Sequence, residues 1–181
     1  ALSVDAGLFT REEERHALMA LAGTQANREI LLPAGGRIPC GAVADHLMCD
    51  GTPVFFPGGS RTGESGGLWG TRPPFDTPFH FIHLAWRHVQ RTGDYALLHH
   101  AAAGHALVDR LDRAFHATPA DPDTGLVTCE ESDRGANVFF MNTVVQTGAL
   151  LFASLLRARA AQEMKALMLW AGDEARAFCY Q

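Results

Sequence analysis

Several features that would narrow the function at once are missing from these 181 residues. No apolar run approaches the roughly 18 residues that a membrane-spanning helix needs. The four cysteines, Cys40, Cys49, Cys129 and Cys179, form no CxxC pair. That excludes a zinc ribbon and a thioredoxin-type redox motif and leaves reduced thiols as the expectation. The first ten residues lack a basic stretch followed by an apolar one, so no secretory signal is visible and a cytoplasmic setting is expected. Lysine is nearly absent: Lys165 is the single one, and every other basic residue is arginine, a bias that reflects a GC-rich coding genome. With a net charge of -5 and no basic cluster, a nucleic-acid-binding face is excluded as well. The expected partner is therefore a small molecule, not a phosphate polymer or a membrane.

What is present is a chain that is 47% hydrophobic and punctuated by glycine and proline, enough for one substantial core and a single domain over 1–181. Nine histidines are unusual, with His80, His83 and His88 on one predicted helix and His99, His100 and His105 on the next. Their spacing reproduces neither HExxH nor another metal signature, so no metal and no cofactor are expected.

Periodicity reads mostly as helix. Thr10 with Glu13 makes a capping box for a first helix over 11–22. Residues 32–75 are dominated by Gly and Pro, with short strands expected over 37–40 and 53–56. A loop of that length inside a compact domain is usually functional. Pro78 suits the first turn of a helix over 78–91 that is apolar on most sides. Thr92-Gly93-Asp94 breaks the chain, and Asp94 caps a second helix expected over 95–115, with Asp109, Arg110, Asp112 and Arg113 on its outer face. Asp121-Pro122-Asp123-Thr124-Gly125 is a turn and 126–128 a short strand. A long helix is expected over 138–163, and a Gly172-Asp173 cap precedes a short final one. The expectation is an all-α fold of stacked helical hairpins with long Gly/Pro-rich loops and at most short strands.

Two polar loops precede the helices over 78–91 and 138–163. The first runs from Ser60 to Thr77 and carries Arg61, Glu64, Trp69, Arg72 and Asp76. The second, Thr128-Cys129-Glu130-Glu131-Ser132-Asp133-Arg134-Gly135-Ala136-Asn137, carries three carboxylates. Such groups gathered before helix N-termini suggest a built site. Cleaving a glycosidic bond needs one protonated carboxylic acid and one carboxylate, and Glu130, Glu131 and Asp133 are close enough in sequence to couple and divide those roles. The same residues have plainer roles: Asp133 as a turn residue paired with Arg134, the glutamates as solvated charges, Asp76 as an N-cap, Trp69 as a loop anchor.

The segment from Phe75-Asp76-Thr77-Pro78 to Trp86, followed by Arg91-Thr92-Gly93-Asp94-Tyr95, resembles the D-x-P and TGD hairpin of six-hairpin glycosidases, whose fold is an (α/α)6 toroid. Gly125-Leu126-Val127-Thr128 through Asp133-Arg134, and on to Asn142-Thr143-Val144-Val145-Gln146-Thr147-Gly148, resembles the next hairpin entrance. The resemblance spans about 35–161. It implies carbohydrate hydrolysis without a cofactor, by inversion, in a cleft where the inner helices begin. Glu130, Glu131 and Asp133 would be the catalytic carboxylates. Asp76, Arg61, Glu64, Trp69 and Asn142 would bind the sugar, Asn142 standing where many relatives carry an acid. Twelve helices of about 11 to 12 residues each, plus loops, need far more than 181 residues. The expected fold is thus an incomplete portion of a toroid, and association of copies is one way to complete a ring. Two other readings stay open: a sugar epimerase or isomerase in which His80 or His83 moves the proton, and a non-catalytic carbohydrate-binding or helical scaffold.

Overall fold

The computed structural model of the protein describes residues 9–33, 35–56, 71–133 and 146–180. Among them are five α-helices, α1 (Arg11–Thr24), α2 (Thr77–Thr92), α3 (Leu107–Ala117), α4 (Leu151–Trp170) and α5 (Glu174–Phe178). Eight two-residue strands form four antiparallel pairs: β1 (Ile30–Leu31) with β2 (Arg37–Ile38), β3 (His46–Leu47) with β4 (Pro53–Val54), β5 (Ala101–Ala102) with β6 (His105–Ala106), and β7 (Thr128–Cys129) with β8 (Gly148–Ala149). Pairs this short cannot build a sheet-based core, so the fold rests on helix packing.

Local chemistry explains where the helices start and stop. Thr10 Oγ1 accepts from the Glu13 N–H at 3.2 Å while Glu13 Oε2 accepts from the Thr10 N–H at 2.7 Å, closing the capping box of α1. Helix α2 ends at Gly93, whose φ of 69° lets its N–H reach back to the Val89 carbonyl. Asp173 caps α5 through the Arg176 N–H. Asp76 stands at the start of α2 but makes no side-chain cap bond.

Helix α2 is the centre of the packing, touching α1, α3 and α4. It buries Phe79, Phe81, Ile82, Ala85 and Val89 against Leu18, Leu97, Leu98, Leu107, Leu111, Met164 and Leu167. Each such large side chain contributes about 1.5–3 kcal/mol on burial. A smaller cluster of Ala26, Ile38, Ala42 and Phe56 supports the 26–56 loops. Those loops lie close on α3: at Gly41, with φ at 85°, an added Cβ would sit 2.4 Å from the Arg113 carbonyl oxygen, so only glycine fits.

Three sequence expectations are corrected. Residues 95–115 are not one helix but a 3₁₀ turn (Tyr95–His99), the β5–β6 hairpin and then α3. The break is set by the hairpin turn, where Ala103 (φ 47°) and Gly104 (φ 85°) are both left-handed. Arg110 does not lie on an outer face: it is fully buried and donates from Nε to the Ala102 carbonyl at 3.0 Å and from Nη2 to the Ala103 carbonyl at 2.9 Å, holding that turn in place. The helix expected over 138–163 begins only at Leu151, because Gly148 (φ 77°) and Ala149 pair with β7 instead; residues 138–145 lie outside the described ones. Strands expected over 37–40 and 53–56 are present as their first two residues, and the one expected over 126–128 shifts to Thr128–Cys129 with a lone bridge between Ala120 and Val127.

Candidate functional site

The two polar loops meet at Asp133. This residue ends a 3₁₀ turn (Glu131–Asp133) and is buried. Thr71 Oγ1 lies 2.6 Å from Asp133 Oδ1 and 2.8 Å from the Ser132 carbonyl. Arg72 Nε is 2.9 Å from Oδ2 and Arg37 Nη2 is 3.5 Å from the same oxygen. The Arg37 N–H also donates to the Thr71 carbonyl at 2.8 Å. Three chain segments, around 37, 71–72 and 131–133, thus converge on one carboxylate. Thr71 and Arg37 hydrogen-bond to this carboxylate and Arg72 adds the charge of an ion pair; hydrogen bonds to a charged group are about twice as strong as neutral ones, so Asp133 acts first as the pin that joins the loops. Both its oxygens already accept, which leaves it badly placed to deliver a proton.

Its acidic neighbours differ. Glu130 and Glu131 are exposed residues on the pinned turn. Cys129 is buried, and its thiol is pushed up to about 11, by burial first and then by the Asp133 charge. Asp76 lies on the same run as Arg72, is buried, and has His80 Nε2 at 3.8 Å. Arg61, Glu64, Trp69 and Asn142 fall outside the described residues. Of the expected site residues, the structure therefore brings Asp133, with Glu130 and Glu131 on its turn, to the loop that leads to Asp76.

The cavity nearest this junction, lined by Pro39, Val43, Arg72, Phe75, Pro78 and Thr118, holds about 10 Å³, room for one water and not for a sugar ring. A wider groove of about 560 Å³ opens between α3 and α5. There Arg176 is already committed to Asp109 at 2.8 Å and Asp173 at 2.6 Å.

A second ionisable cluster was not foreseen. On the face of α2 that carries Asp76 and His80, one turn further along, His83 Nδ1 lies 2.7 Å from Glu163 Oε1 of α4, both side chains being buried. Arg159, one turn before Glu163, places Nε 2.9 Å from the same carboxylate oxygen and Nη2 3.0 Å from His83 Nε2. Trp86 stacks on the imidazole, with ring centroids 5.9 Å apart. The same Arg159 Nη2 lies 2.9 Å from His83 Nδ1, so the guanidinium sits against the imidazole nearly equidistant from its two nitrogens. The sequence signal for this site was an Arg and a Glu four apart, Arg159 and Glu163, on one helix. His80 titrates below its ordinary value because burial outweighs the opposing charge of Asp76.

A third cluster is structural. Glu14 of α1 is fully buried and accepts from Arg91 Nη1 at 2.6 Å, with His88 Nδ1 at 3.2 Å, binding α1 to α2. Among the described residues no group of three or more His, Cys, Asp and Glu side chains is placed to hold a metal ion, and no helix is long and apolar enough to cross a membrane. No protein-family model matches the chain, and no curated protein matches it significantly.

Proposed function

We propose that the chain is a carbohydrate-acting protein of the glycoside hydrolase class, working through carboxylate general acid–base chemistry at the junction of its two polar loops. The observation that carries this reading is the convergence of Arg37, Thr71 and Arg72 on Asp133. It fixes the acidic turn next to the run ending in Asp76. In this reading Glu131 and Glu130 move the protons, Asp133 fixes their turn, and Asp76 accepts from sugar hydroxyls. Arg61, Glu64, Trp69 and Asn142 complete the sugar contacts. Proton transfer by a positioned side chain contributes about 10²–10⁴-fold to rate.

The test is a panel of aryl glycosides assayed with the parent protein and the variants Glu130→Gln, Glu131→Gln and Asp76→Asn. One glutamate substitution is expected to lower kcat about a hundredfold or more, with Asp76→Asn acting mainly on KM. No aryl release from any substrate, or full activity in both glutamate variants, would sink the hydrolase reading.

The 2.7 Å approach of His83 to Glu163 favours a second reading, an epimerase or isomerase that takes a proton from a sugar carbon with a histidine base. His83→Asn would then abolish turnover, whereas a hydrolase acting at the acidic turn would keep it.

A further inference from the structure

The His83, Glu163 and Arg159 cluster has two properties that a purely structural ion pair does not need. Glu163 is buried, yet its Oε2 has no hydrogen-bond partner; an unsatisfied carboxylate oxygen in such a place costs free energy until a donor arrives. Arg159 closes the cluster from the solvent side, with 55% of its side chain exposed. Its Nη2 lies against the His83 imidazole, 2.9 Å from Nδ1 and 3.0 Å from Nε2, and a guanidinium binds a carboxylate more strongly than it does an imidazole. His80 and Asp76 stand one and two turns toward the start of α2, His80 half-exposed.

From this geometry we infer that Arg159, His83 and Glu163 form a binding site for a small carboxylate that also carries hydroxyl groups. The ligand carboxylate takes the Arg159 guanidinium and draws it off His83 Nε2. A ligand hydroxyl donates to Glu163 Oε2, supplying the missing partner. Two carboxylates flank the site, Asp76 and Glu163, and they oppose a doubly charged group, which selects a carboxylate over a phosphate. The inference concerns binding at α2 and α4, so its failure leaves the acidic-turn reading untouched.

The experiment uses the full chain and D-gluconate as the probe, with D-sorbitol supplying the hydroxyls without charge and acetate the charge without hydroxyls. Binding is read by calorimetry and by the imidazole ¹⁵N resonances of His83. Gluconate is expected to bind at least tenfold more tightly than either control and to shift the His83 Nε2 resonance. Arg159→Gln, a change at a largely exposed side chain, is expected to weaken that binding at least tenfold while far-UV circular dichroism stays unchanged, with Arg159→Lys falling between. Gluconate binding no tighter than acetate, an unmoved His83 resonance, or equal affinity in Arg159→Gln would each overturn the inference.

Discussion

Replacing Arg110 by methionine isolates what one buried guanidinium does for the fold. Methionine keeps the length and the apolar stem of the side chain and removes its donors. Three bonds are lost, to the carbonyls of Ala102 and Ala103 and to Asn27 Oδ1. The two contacts that Gln25 Nε2 makes, with the main-chain carbonyls of Gly41 and Arg110, are left alone. Hydrogen bonds to charged groups are worth about 1.5–3 kcal/mol each, but Ala103 and Asn27 are exposed and water replaces most of what they lose. Ala102 is buried, so water does not replace the bond that its carbonyl loses. Against this, the desolvation cost of the buried cation disappears. The net expectation is a loss of about 3 kcal/mol, which for a chain of this size lowers Tm by about 6–12 °C. Thermal and urea unfolding followed by circular dichroism measure it, with Arg110→Lys expected to recover only part because an ammonium cannot reproduce the three-way fork. A Tm within about 2 °C of the parent would refute the reasoning, since it would mean that the β5–β6 turn does not depend on this side chain.

Two further outcomes follow from the titrating groups. Near pH 8, Cys40, Cys49 and Cys179, which are exposed, should react with a thiol reagent, while Cys129, buried and shifted upward to about 11, should react only after unfolding; four thiols reacting at one rate would contradict the packing around Asp133. For His80 the folded state holds the pKa below its ordinary 6.5. The unfolded chain therefore binds the proton more readily, and stability falls as pH drops through the region just below 6.5. His80→Asn should flatten that part of the stability profile, and identical slopes for parent and variant between pH 6.5 and about 5 would show that His80 is not responsible.

Much of the helical framework was legible because its signals are local. The capping box at Thr10 and Glu13, the proline at the start of α2, the Thr92-Gly93-Asp94 break and the Asp173 cap each specify geometry within a few residues of themselves. The failures are non-local. Apolar spacing over 95–115 is compatible with a single helix, and only the contacts of Arg110 with Ala102 and Ala103 show why the chain folds back there. Gly148 and Ala149 lie in a helix-like apolar stretch, but pairing with Thr128 and Cys129 satisfies their backbone groups another way. At the candidate site, the clustering of Glu130, Glu131 and Asp133 was visible in sequence, whereas the arginines that pin Asp133 come from 96 and 61 positions away (133 − 37 and 133 − 72). Apolar spacing does not single out Glu163; its burial against His83 depends on how α2 and α4 pack, which periodicity does not reveal.

The β7–β8 pair gives the acidic turn an unusual freedom to change. It ties Thr128–Cys129 to Gly148–Ala149, and the Asp133 pin adds a second tie just beyond β7. Doubling the length of a loop closed in this way adds only about 0.6 kcal/mol of closure entropy. The closure entropy of a longer connection between Asp133 and Gly148 is therefore a small term while the staple and the pin survive. A family built on this plan could reshape what it recognises by varying loop length while the helices stay as they are.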